Sequence, residues 1–154
     1  MIHNNMSKIL LIIVILVNFL ENKLSDMESI SLQQKEIAKD LLEQIRGAID
    51  NLLEWNKEYS EADDLLKSPG GMKTLAANCM LIEAIGESVK KIDSKTNGLL
   101  LCKCEEIPWG NIKGMRNHIA HGYFDINVDF IWDVIQNDLP PLKHAVDYLI
   151  KYCE

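Results

Sequence analysis

From Ser29 to about Tyr59 the apolar residues Ile30, Ile37, Leu41, Ile45, Ile49, Leu52 and Trp55 recur at helical spacing between Lys, Glu, Gln and Asp. A stripe of that length belongs to a long helix with one face in a core, and it leaves no alternation of period two from which to build a sheet. A second stripe, Met72, Leu75, Cys79, Ile82, Ile85, Val89 and Ile92, follows the stop signal at Ser68-Pro69-Gly70-Gly71. Gly86 within it permits close helix packing. Two such helices need further helices to cover them.

The rest of the chain supplies them. Ser94 to Glu106 reads as a connection with a turn at Asn97-Gly98, in which Leu99 to Leu101 must bury something. Pro108 suits a first helical turn, Trp109, Ile112, Met115 and Ile119 continue that helix, and Gly122 is placed to end it. Asn127 is a cap for a fourth helix carrying Phe130, Ile131, Val134 and Ile135, which the Leu139-Pro140-Pro141 step is expected to end. Leu142, Ala145, Val146 and Leu149 make a short fifth. The expected fold is all-α, a bundle of four to five helices. Eight glycines, four prolines and 6% aromatics agree, because an all-β chain of 154 residues needs more turns and more aromatic alternation.

The first 26 residues stand apart. Ile9 to Val17 is an unbroken apolar run, short of the roughly 20 residues that span a bilayer and lacking a small-x-small cleavage site after it. The preferred reading is that translation begins at Met27, so that residues 1–26 are an apolar extension and 27–154 the helical domain. A short membrane anchor is the alternative, and no stable membrane association is expected. Cys79, Cys102, Cys104 and Cys153 form no C-x-x-C pair, so reduced thiols in a cytoplasmic protein are expected, with no metal and no cofactor.

A formal charge of −7 excludes a protein that coats nucleic acid through a broad basic surface. Anion chemistry must be local, and Asn111 to Gly122 is the best place for it: Lys113, Arg116, His118 and His121 with no acidic residue. On an ideal helix Asn117 and His121 share a face, whereas Arg116 and His121 lie about 140° apart. A two-fold dimer brings such groups together, because an isologous interface pools residues from both chains.

Arg116 to His121 is an R-x-x-x-x-H motif with Asn after the Arg, and His121-Gly122-Tyr123 continues it as H-x-Y. With IGESVKK at Ile85 to Lys91, EIPWGNIKGMRNHIAHGYFDIN at Glu106 to Asn127 and IWDVIQNDLP at Ile131 to Pro140, this resembles the HepT branch of the HEPN family, prokaryotic toxins paired with a minimal nucleotidyltransferase antitoxin. The leader before Met27 and the C-x-C connector depart from that family. The resemblance implies a HEPN-type bundle and metal-independent cleavage of RNA by a homodimer, with Arg116 holding the phosphate and His121 moving the proton. Asn117 supports them, and Tyr123 is the residue to which a cognate nucleotidyltransferase-fold antitoxin transfers AMP. His118 is at most a group that supports the site from behind or contacts RNA. The competing function is a non-catalytic HEPN module that binds a nucleotide or a nucleotidyltransferase through the same Arg and His.

Overall fold

The computed structural model describes residues 10–21, 29–119 and 126–154, and at Arg116 and His118 the backbone alone. They fall into two units divided between Ser31 and Leu32. In the first, residues 10–21 are a helix whose apolar side chains, from Leu10 to Leu20, are exposed. Twelve residues rise about 18 Å, against a hydrocarbon core of about 30 Å. Among the described residues no helix is long and apolar enough to cross a membrane.

The second unit, Leu32–Glu154, is all helical, and among the described residues there is no strand. Helix α1 (Leu32–Trp55) packs on α2 (Pro69–Lys95) and on α5 (Leu139–Cys153), while α3 (Trp109–Ile119) packs on α2 and the short α4 (Val128–Asp133) leads toward α5. The core is aliphatic: Ile45, Ile49 and Leu52 from α1, Ile82, Ile85, Val89 and Ile92 from α2, and Leu142, Val146 and Leu149 from α5 are buried.

The buried face of α1 is rotated from the expected one. Ala38 and Leu42 are buried where the pattern pointed to Ile37 and Leu41, and Ile37 and Trp55 are exposed. Adjacent apolar residues at 37/38 and 41/42 make the stripe wide, and simultaneous packing on α2 and α5 selects its edge. Every expected position of α2 except Met72 is buried. Its start differs in kind: Ser68-Pro69-Gly70-Gly71 begins the helix. The Ser68 hydroxyl accepts the Gly71 amide at 3.0 Å and Pro69 occupies the first turn, where its missing N–H costs nothing.

Asn97 and Gly98 take positive φ angles, 51° and 77°, at the expected turn, and Leu100 and Leu101 are buried after it. Asn127 caps α4 by accepting the Phe130 amide at 3.0 Å. The proline step does not separate two helices. Backbone helicity runs from α4 through a π-helical segment, Val134–Asp138, directly into α5, which carries Pro140 and Pro141 in its first turn. The wide turn closes with the Leu139 amide donating to the Val134 carbonyl, five residues back. A proline ring clashes with the carbonyl four residues before it, and a widened turn just upstream relieves that crowding.

Two buried polar residues carried no sequence signal. Asn56, at the end of α1, and Asn78, in α2, bond each other reciprocally: Asn56 Nδ2 donates to Asn78 Oδ1 at 3.0 Å and Asn78 Nδ2 to Asn56 Oδ1 at 2.8 Å. Asn56 also donates to the Leu52 carbonyl at 2.7 Å. Replacing Asn78 by leucine strands the Asn56 carbonyl in the core and is expected to cost about 2–3 kcal/mol. The double replacement of Asn56 and Asn78 by leucine should cost less than the single one. Urea unfolding of the three proteins checks this, and an additive double mutant would refute the reciprocal pairing.

Candidate active site

The expected motif lies on and just after α3, so the site depends on how that helix is held. Trp109 donates its indole N–H to the Cys104 carbonyl at 2.9 Å and pins the start of the helix to the preceding loop. Ile112 and Met115 are buried, facing α2 and the core. At Gly86 of α2 the two backbones meet: a Cβ there would stand 2.8 Å from the Ile112 carbonyl oxygen. Lys113 donates to Asp93 of α2 at 2.8 Å, closing the same interface from its solvent edge. The stretch from Asn111 to Gly122 has no acidic residue of its own, but α2 brings the Asp93 carboxylate beside it.

On the side away from the core, α3 presents Gly110, Gly114 and Asn117, spaced i, i+4 and i+7. Nothing lies within 4 Å of a Cβ built at either glycine, and Asn117 is exposed. Asn117 borders two clefts. One, of about 540 Å³, lies between α2 and α3 and is walled by Glu87, Lys90, Asp93 and Lys113. The other, of about 420 Å³, runs from Gly110 and Asn111 to Phe130 of α4 and Asp138 of the π segment. Partial desolvation of its otherwise exposed carboxyl, reinforced by the neighbouring Asp133 carboxylate, raises the Asp138 pKa above the ordinary aspartate value.

Arg116 has its backbone on α3, between the buried Met115 and the exposed Asn117. Its side chain, that of His118, and residues 120–125 with His121, Gly122 and Tyr123 lie outside the described residues. The described geometry therefore places Asn117 with Lys113 and Lys90 on one flank and with Asp138 and Phe130 on the other. Asp138 and Phe130 were not expected at the site. Both come from beyond the motif in sequence, and only the return of the chain through α4 brings them beside α3. The two cysteines of the C-x-C diverge: Cys104 is buried, and Cys102 is exposed with its thiol directed at the Leu99 carbonyl at 3.2 Å. Among the described residues no group of His, Cys, Asp and Glu has the arrangement of a metal site.

Residues 20–149 match the family model described as HepT-like ribonuclease. A protein of Thermococcus cleftensis named "Probable ribonuclease HepT" is 33% identical over 117 residues, covering 76% of this chain and 99% of that one. A Methanocaldococcus jannaschii protein named as a candidate RNase is 30% identical over 115 residues, 75% of this chain and 85% of its own. Another so named, from Caldanaerobacter subterraneus, is 30% identical over 110 residues, 71% and 91% of the two chains. No solved structure gave a significant match to the chain. With the family model spanning most of its length and a relative of this similarity matched almost end to end, the chain belongs to the HepT-like ribonuclease family.

Proposed function

We propose that the chain is a metal-independent RNA endonuclease, the toxin of a toxin–antitoxin pair, whose activity resides in residues 27–154 of a cytoplasmic homodimer. The observation that carries this reading is the R-x-x-x-x-H-x-Y motif, whose first residues Arg116 and Asn117 lie near the C-terminal end of α3, a helix packed on α2. In the reaction His121 takes the proton of a ribose 2′-hydroxyl and O2′ attacks the adjacent phosphorus. The P–O5′ bond then breaks to leave a 2′,3′-cyclic phosphate, O5′ takes a proton from solvent, and the His121 imidazolium returns its own to solvent. Arg116 bonds the non-bridging phosphate oxygens, where negative charge accumulates. An imidazole with an ordinary pKa near 6.5 exchanges protons at neutral pH without a metal. Asn117 orients His121 or bonds the strand.

The dimer reading draws support from the open face of α3. Gly110 and Gly114 let a second helix approach closely, and the proposed two-fold dimer pools Arg116 of one chain with His121 of the other. Two measurements test the proposal together. Purified protein should cleave single-stranded RNA in excess chelator, and its light-scattering mass should be twice the 17.5 kDa of one chain. Intact RNA would favour a binding-only module, and a monomer at micromolar concentration would overturn the pooled site.

Tyr123, two residues after His121, is proposed as the point of control by a nucleotidyltransferase-fold antitoxin. Transfer of AMP to its hydroxyl adds bulk and a phosphodiester charge where the RNA backbone must lie, so occlusion and repulsion both oppose substrate. Co-expression with the cognate enzyme should add one or more AMP masses to the Tyr123 peptide, and Tyr123→Phe should remain toxic. An unmodified peptide together with full neutralisation of the Phe variant would mean inhibition by binding alone.

A further inference from the structure

A third cleft, of about 520 Å³, opens between the 103–107 loop and α5, before the start of α3 and apart from the residues lining the clefts at Asn117. Its apolar lining is Cys104, Ile107, Pro141 and Ala145, and its rim carries Lys103, His144 and Tyr148 together with one carboxylate, Glu106. On α5 the exposed side has a stripe of its own, His144, Tyr148 and Tyr152, spaced i, i+4 and i+8 and so extending about 12 Å along the axis. Tyr148 is 53% exposed, a large aromatic that the core does not use.

Two ammonium groups converge on this stripe from distant parts of the chain. Lys103 Nζ lies 4.2 Å and Lys35 Nζ 4.6 Å from the centre of the Tyr152 ring. Lys35 also donates to the Tyr152 carbonyl at 3.5 Å, which accounts for its position as a cation at the C-terminal end of α5. That role does not account for Lys103, which approaches the same ring from the loop. In the ion pairs among the described residues, Lys39 is met by Glu154, Arg46 by Asp147 and Lys143 by Asp50, whereas neither Lys35 nor Lys103 is matched by a carboxylate. In a chain of net charge −7, two cations stand over one aromatic ring beside an apolar slot, against the single carboxylate of Glu106 in the cleft lining.

We propose that this cleft is an accessory RNA-binding subsite that takes one nucleotide of a single strand. The base stacks on Tyr148 over Ile107 and Ala145, and the flanking phosphate pairs with Lys103, with His144 as a further hydrogen-bonding group. Aromatic faces interleaved with cations are what a sequence-tolerant single-strand site requires, because every base has a π face and every linkage a charge. The cleft would tether substrate away from the reacting bond, and so contribute to affinity and not to the chemical step. The identity of the strand rests on the ribonuclease reading; the recognition chemistry of the cleft does not.

The test uses the full chain carrying His121→Ala, which keeps RNA intact, and the fluorescence anisotropy of a labelled 12-nucleotide single strand. Adding Tyr148→Ala should weaken binding roughly tenfold through the lost stack, and Tyr148→Phe should leave it unchanged. Adding Lys103→Ala should reduce the slope of log affinity on log salt by about 0.7, the share of one phosphate on a single strand. With His121 restored, Tyr148→Ala should raise KM for the 12-mer at unchanged kcat. Unaltered affinity in both Tyr148→Ala and Lys103→Ala, with melting temperatures like the parent, would overturn the subsite while leaving cleavage untouched. If the affinity losses appear but no variant or parent cleaves RNA, the subsite stands and the ribonuclease reading falls. AMP alone is the last probe: displacement of the 12-mer by micromolar AMP would show a free-nucleotide pocket and overturn the strand proposal.

Discussion

Alanine at Arg116 is expected to slow RNA cleavage by roughly 10²–10³-fold, and alanine at His121 by about 10²–10⁴-fold. The two losses differ in kind. Removing the guanidinium takes away a fixed charge that meets the phosphate before and during reaction, so binding weakens along with turnover. Removing the imidazole takes away proton transfer, and RNA affinity should change little. Because both groups serve one transition state, the double variant should be hardly slower than the worse single one. Single-turnover cleavage in excess chelator, alongside anisotropy for binding, separates these effects. Variants as active as the parent, or parental activity that the chelator abolishes, would refute the mechanism. Asn117→Ala offers a graded comparison: its side chain is exposed and borders both clefts flanking α3, so its loss should be smaller than either.

Gly86→Val is expected to impair both folding and cleavage, although it lies outside the motif. A Cβ at position 86 meets the Ile112 carbonyl oxygen at 2.8 Å, and that oxygen belongs to helical backbone that cannot rotate away. Overpacking of this kind costs about 1–3 kcal/mol, and the branched side chain has few rotamers with which to avoid it. Relief comes by moving α3 outward, which carries Arg116 and Asn117 with it. Cleavage should therefore fall by about a hundredfold, more than the lost folded fraction explains, since displacement of catalytic groups by about 1 Å has that effect. Urea unfolding and cleavage measured under fully folded conditions check both parts. Gly47→Ala is the control: α1 has nothing within 4 Å of a Cβ there, so it should be stabilised by roughly 0.5–1 kcal/mol with activity unchanged. Normal folding and activity in Gly86→Val would mean that the α2–α3 contact is looser than its geometry.

How much of the fold is legible in the sequence depends on how local its causes are. The α2 stripe was legible in phase even though Ala76, Ala77, Met80 and Leu81 flank it, because Leu75, Cys79, Ile82, Ile85, Val89 and Ile92 keep to one helical line. The α1 stripe was legible in period but not in phase, because Ile37 beside Ala38 and Leu41 beside Leu42 allow two faces, and a choice between them depends on partners far along the chain. Ser68-Pro69 was ambiguous for a different reason, since the residues that interrupt one helix are the ones that cap the next. The motif at Arg116 to Tyr123 is contiguous and could be read directly. Its surroundings could not: Asp93 reaches Lys113 from 20 residues upstream, and Asp138 comes from a turn whose width no local pattern announces. The third cleft was invisible for the same reason, as Lys35, Lys103 and Tyr152 meet only in the folded chain.

That wide turn also bears on how the family can change in length. In an uninterrupted α-helix Asp138 would follow Ile135 by three residues and Val134 by four and precede Leu142 by four, all of them buried, so its carboxylate would enter the core. The π segment instead leaves Asp138 exposed, beside the cleft at Asn117. Loss of a single residue from 134–138 would close the wide turn to an ordinary α-turn with α4 and α5 still in phase, whereas a further insertion would rotate α4 against α5, either burying a charge or turning Leu142 and Val146 toward water. An insertion or deletion is ordinarily absorbed by a loop. Here the bundle has already accommodated one irregularity inside a helix, and it has no slack there for another.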